Sequence, residues 1–188
     1  MPRTHGDTKA EIRGAALDLF RRQGYEKTSL REIAERLNIT KAALYYHFRS
    51  KEDLLRALVD PLERDMEDFL GGLDATAPNA PDEVLGVYFD LCVRHGVLMT
   101  ALINDLASLT RIGLVDEVAG WRRRLEAVLV GENAGMPARM GVVMALGGIR
   151  DVAVLIPSAE APEHRRRAVA IATAALLEGT GGRTPGMD

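Results

Sequence analysis

Apolar residues return every three or four positions along most of this chain, and one-by-one alternation of the strand type is nearly absent. Ile12, Ala15, Ala16, Leu19 and Phe20 follow the i, i+3, i+4, i+7, i+8 rule of an amphipathic helix. Thr8 and Glu11 form a capping box before it, Arg21 and Arg22 occupy its last turn, and Gly24 ends it; residues 1–7 are then an arm. A second, shorter helix follows. Ser29 caps it with Glu32 three residues on, and Leu30, Ile33, Ala34 and Leu37 share its inner face. Asn38 tolerates the left-handed backbone a tight turn needs. Thr40 then caps a third helix, with Ile39 placed to staple onto Leu44. Leu44 and Phe48 turn inward, which leaves Lys41, Ala42, Tyr45, Tyr46 and His47 largely outward. Ser50 caps a fourth, with Glu52 and Asp53 in its first turn and a broad apolar face from Leu54 to Leu70. Pro61 cannot donate the interior hydrogen bond, so that helix kinks there, or stops and restarts on Asp60 as cap.

Gly71 to Pro81, GGLDATAPNAP, has the composition of a linker. Helical periodicity resumes over about 82–95, 97–109 and 115–131, the last with Val118, Trp121, Leu125 and Val128 on one face and Arg122 to Arg124 mostly outward. Two final helices, about 137–156 and 162–178, are rich in glycine and alanine and apolar around more of their circumference than a one-sided surface helix requires. They form either a tight internal hairpin or half of a four-helix interface between two copies. Arg165 to Arg167 lie on the rim, and the tail runs from Gly179. The fold class is all-α.

The net charge of −3 conceals an uneven division. Residues 1–51 hold 11 Lys and Arg against 6 Asp and Glu, a net of +5; the remainder holds 13 against 21, a net of −8. The basic charge therefore accompanies the first three helices. One cysteine, Cys92, excludes an intrachain disulfide and fits a reducing cytoplasm, as a small buried residue first and a redox sensor second. The longest apolar runs fall short of the roughly 18 residues that a membrane span needs. No zinc-ligand spacing, glycine-rich phosphate loop or nucleophile elbow is present, so no metal, cofactor or enzymatic activity is expected. Asp90, Cys92 and His95 lie close in sequence but do not share one helix face.

An outward face of one lysine, small alanines, two tyrosines and a histidine suits a DNA groove, or belongs to a helix pair half buried in an all-α core. The segment resembles the DNA-binding domain of TetR/AcrR-type transcriptional regulators over about residues 8–58: Thr28 or Ser29, Ile33-Ala34, Leu44-Tyr45-Tyr46-His47-Phe48, then Lys51 and Leu54. Asn38 and Ala42 stand where those regulators often have glycine. The resemblance implies a helix-turn-helix domain over 1–51 and a helical effector-binding and dimerisation domain over 52–188. Thr28 belongs to the motif; Ser29, Arg31, Thr40, Tyr46 and Lys51 become candidates for phosphate, with Thr40 at a helix N-terminus that favours an anion. Lys41, Ala42, Ala43, Tyr45 and His47 become candidates for base edges. It also implies a small-molecule pocket, for which Met66, Tyr88, Cys92, His95, Met99, Asn104, Trp121, Met140 and Met144 are candidate lining residues. The expected partners are a near-palindromic operator, a second copy through the last two helices, and a hydrophobic or amphipathic effector that releases a repressor. An activator, a ligand-independent regulator, or a helical binding protein or enzyme with a vestigial helix-turn-helix are the alternatives.

Overall fold

The computed structural model describes residues 5–73, 80–103, 110 and 112–181. Among the described residues every regular element is helical: α1 (His5–Gln23), α2 (Leu30–Arg36), α3 (Lys41–His47), α4 (Lys51–Gly71), α5 (Pro81–Arg94), α6 (Gly96–Ile103), α7 (Leu114–Val130), α8 (Met136–Leu155) and α9 (Ala161–Gly179). The chain forms two compact units, Met1–Arg64 with Val97–Asp116, and Asp65–Gly96 with Glu117–Asp188. The boundary falls inside α4.

In the first unit α2 packs on α1 and α3 on α2. Ile12, Ala16 and Phe20 of α1, Ile33 of α2, and Leu44 and Phe48 at the end of α3 are all buried. These are the positions at which a 3.6-residue period puts one stripe inward. Tyr25 joins them edge-on to Phe20, with ring centroids 5.1 Å apart. Asp18 ties α1 to α2 by pairing with Arg36, and also holds Arg22 of its own helix at 3.0 Å. Gly24, at φ +86°, ends α1 as its position predicts. The start differs. The helix begins at His5, so Thr8 lies inside its first turns and not at a cap.

One uninterrupted α-helix passes through Pro61, so α4 does not stop and restart. Proline still removes one rung of the ladder, the bond to the carbonyl of Ala57. Before that point Arg56 binds the carbonyl of Ile112 within the first unit. Beyond it, Asp65 and Glu67 anchor α4 within the second. Asp65 accepts from Arg94 and pairs with His95, both at 2.8 Å; Glu67 accepts from Trp121 Nε1 at 2.9 Å and from Arg124 at 2.7 Å. Arg124 is exposed, as the sequence expects of Arg122 to Arg124, and from the surface it pairs with α4.

The core of the second unit is the mutual packing of α5, α8 and α9. Close approach of α8 and α9 depends on two glycines. A Cβ at Gly141 would stand 3.0 Å from the carbonyl oxygens of Ala175 and Leu176, and one at Gly179 would stand 2.6 Å from that of Pro137. Arg165, placed by the sequence on an exposed rim, instead reaches α5. It bonds both carboxylate oxygens of Asp90, at 2.7 and 2.8 Å, and crosses Gly86, where a Cβ would meet its guanidinium.

Candidate nucleic-acid interface

The helix-turn-helix is built from local signals that all agree. Ser29 is the N-cap of α2: its hydroxyl accepts from Glu32 N at 3.2 Å, while Glu32 accepts from Ser29 N at 2.7 Å, closing the capping box. The main-chain bond from Ser29, with its hydroxyl and Gln23 behind it, holds the Glu32 carboxyl below the usual range. Asn38 takes φ +52°, the left-handed step between α2 and α3. Thr40 caps α3 by accepting from Ala43 N at 3.1 Å. Ser50 does the same for α4, accepting from Asp53 N at 3.0 Å.

These caps orient α3 so that Leu44 is buried and Lys41, Ala42, Tyr45 and Tyr46 are exposed. Tyr45 keeps 42% of its surface and Tyr46 77%. The Lys41 ammonium lies 5.4 Å from the Tyr45 ring centroid, and the Tyr46 ring sits edge-on to His47 at 5.5 Å. Ala43 and His47 are half-buried. Arg31 is exposed on α2 and paired with Glu35 at 2.7 Å.

Two of the DNA candidates have other work. Thr28 is buried; its hydroxyl donates to the Gly24 carbonyl at 2.8 Å and accepts from Gln23 Nε2 at 3.2 Å. Lys51 donates to the carbonyls of Tyr25, Glu26 and Thr28 at 2.9, 3.4 and 3.0 Å, and its charge lies 4.1 Å from the Tyr25 ring centroid. An ammonium has three donors and here meets three acceptors. Both residues hold the turn that launches α2. Sequence spacing could not show this, because Lys51 meets carbonyls more than twenty positions away.

The effector candidates divide. Met66, Cys92 and Trp121 are buried in the second unit, with Tyr88 and His95 half-buried there. Burial and the neighbouring Cys92 push the Tyr88 hydroxyl far above its ordinary range, and burial pushes the Cys92 thiol up to about 12. Met99 belongs to the first unit, and Asn104 lies outside the described residues. Met140 and Met144 do not face that interior. They stand on the outer side of α8, 56% and 64% exposed, because the periodicity that buries Val142, Ala145 and Ile149 turns them away.

Residues 12–58 match the family described as bacterial regulatory proteins, tetR family. The chain is 34% identical over 114 residues to the HTH-type transcriptional regulator TtgR of Pseudomonas putida, covering 60% of this chain and 49% of that one. It thus spans about half the length of that relative. It is 30% identical over 148 residues to the HTH-type transcriptional repressor Rv3405c of Mycobacterium tuberculosis, covering 78% of this chain and 72% of that protein. In fold it resembles a transcriptional regulator from Aquifex aeolicus, with a TM-score of 0.64, 23% identity, and 87% and 98% of the two chains covered. With its capped helix-turn-helix, its exposed α3 and a repressor aligned over most of both lengths, the chain belongs to the TetR family of bacterial transcriptional regulators.

Proposed function

We propose that this protein is a cytoplasmic, homodimeric repressor that binds a near-palindromic operator and leaves it when a small hydrophobic or amphipathic molecule binds the second unit. The exposed face of α3 carries this reading: Lys41, Ala42, Tyr45 and Tyr46 stand out from a helix whose Leu44 is locked inward. The basic balance of residues 1–51 supports it, since phosphate neutralisation supplies most of the affinity for duplex DNA.

Dimerisation is supported by the outer side of α8 and α9. Met140, Val143, Met144, Leu155 and Ile171 are exposed there, and Met144 and Ile171 line an open cleft of about 350 Å³ together with His164 and Arg167. At Gly147 and Gly148, in the middle of α8, a Cβ would meet no described residue outside its own stretch of helix within 4 Å. Glycine in a helix interior costs about 1 kcal/mol relative to alanine. No packing among the described residues offsets that cost, whereas a second copy crossing closely there does. A two-fold dimer sets its half-sites about one helical turn apart, roughly 34–36 Å, or a multiple of that.

Effector release follows if the molecule binds more tightly to a conformation in which the dimer no longer fits its operator. The direct test is selection of bound sequences from a random duplex library by the full chain at near-physiological salt. An enriched inverted repeat is expected. A folded protein that enriches nothing would end the DNA-reading proposal and turn attention to the second unit as a binding module.

A further inference from the structure

The chemistry of α3 limits what it can read. In the major groove adenine is met by the amide of Asn or Gln, cytosine by a carboxylate, guanine by a cation, and thymine by apolar contact with its methyl group. The seven residues Lys41–His47 include no Arg, Asn, Gln, Asp or Glu. The amide that suits adenine and the carboxylate that suits cytosine are therefore missing from this helix. Readers for guanine and thymine are both present, and on one strip. Lys41 and Tyr45 are one turn apart, the ammonium 5.4 Å from the ring centroid, and Ala42 sits beside Lys41 with its methyl exposed.

Building on the DNA-binding proposal above, we propose that α3 reads each half-site through one guanine, met by Lys41 Nζ at O6 and N7, and through adjoining thymine methyls packed against Ala42 and Tyr45. No bidentate amide or carboxylate contact to adenine or cytosine comes from α3. Tyr46 projects furthest and contacts the backbone flank. Each half-site is then defined at few positions, and most of the affinity is electrostatic and salt-dependent.

The test uses the operator recovered by selection and compares single-atom changes in the DNA with single side-chain changes in the full-length protein. Deoxyuridine in place of thymidine deletes only the methyl group; 7-deazaguanine deletes only the N7 acceptor. With wild type, one or two thymines per half-site should each cost about three- to fivefold in affinity, the worth of one buried methyl. One guanine should cost about tenfold. The thymine effects should vanish in Tyr45→Ala or Ala42→Gly, and the guanine effect in Lys41→Met. Each comparison sets one variant on two DNAs, so a general loss of folded protein cancels. An enriched motif that tolerates both base analogues, or effects that persist undiminished in the variants, overturns this inference and leaves the DNA-binding proposal standing. Selection that returns no motif removes both.

Discussion

Lys51, the first residue of α4, donates to the main-chain carbonyl of Thr28, the residue just before the cap of α2, at 3.0 Å. With its bonds to Tyr25 and Glu26 this makes Lys51 a clamp on the entry to the helix-turn-helix. Lys51→Met should cost about 1–3 kcal/mol in urea unfolding, the scale of stranding hydrogen-bonded groups. Its affinity for operator and for random duplex should fall together, with the dependence of log K on log salt unchanged. A direct phosphate contact would instead flatten that slope by about one unit.

Gly141 and Gly179 let α8 and α9 touch through their backbones. Alanine at either should destabilise the chain by about 1–3 kcal/mol, more at Gly179, where the obstacle at 2.6 Å is a main-chain oxygen. In the undimerised chain Gly147→Ala should do the reverse and stabilise by about 0.5–1 kcal/mol, since no described residue outside its own stretch of helix meets the new methyl. Gly148→Ala separates two properties: urea midpoints at low protein concentration hold or rise, while sedimentation shows a weaker dimer. An unchanged dimer constant would place the crossing elsewhere.

Asp65 hydrogen-bonds His95 and Arg94, which together hold its carboxyl below the usual range. A depressed carboxylate stabilises the fold above its unfolded value of about 3.9, and that contribution is lost as pH falls through the lower folded value. Asp65→Asn should therefore cost about 1–2 kcal/mol at pH 7 and progressively less below about pH 4. Parallel denaturation curves at pH 7, 5 and 3.5 would show the gap closing; a gap that stays constant contradicts this origin.

Cys92 is fully buried, and its thiol is pushed up to about 12. The thiolate is the reactive species. Native protein at pH 8 should not react with a chromogenic thiol reagent over minutes, and should react stoichiometrically once unfolded in guanidinium. Prompt labelling of the native state would revive a redox-sensing role.

The helix-turn-helix was legible because its signals are short-range. The Ser29–Glu32 box, the left-handed Asn38 and the Thr40 cap each act within four residues, and the structure has all three. Contacts between distant residues were not legible. Arg165 finds Asp90 seventy-five positions away, and no pattern around either announces the pair. Thr28 matches the family motif, yet its burial depends on how α1 and α2 meet. Met140 and Met144 have the right chemistry for a pocket, but the phase of α8, set by its packing against α5 and α9, exposes both, and Met144 lines the open cleft beside α9 and not the interior of the second unit. Thr8 failed as a cap because α1 gains another turn before it.

The clamp at Lys51 grips peptide oxygens, which every amino acid supplies. Glu26 and Lys27 can therefore be exchanged without removing any of its three bonds, and both side chains lie on the surface. The charge at these two positions can change while the Lys51 clamp stays closed. Mutational drift, or deliberate redesign, can retune long-range attraction to DNA at this corner while the reading helix keeps its geometry.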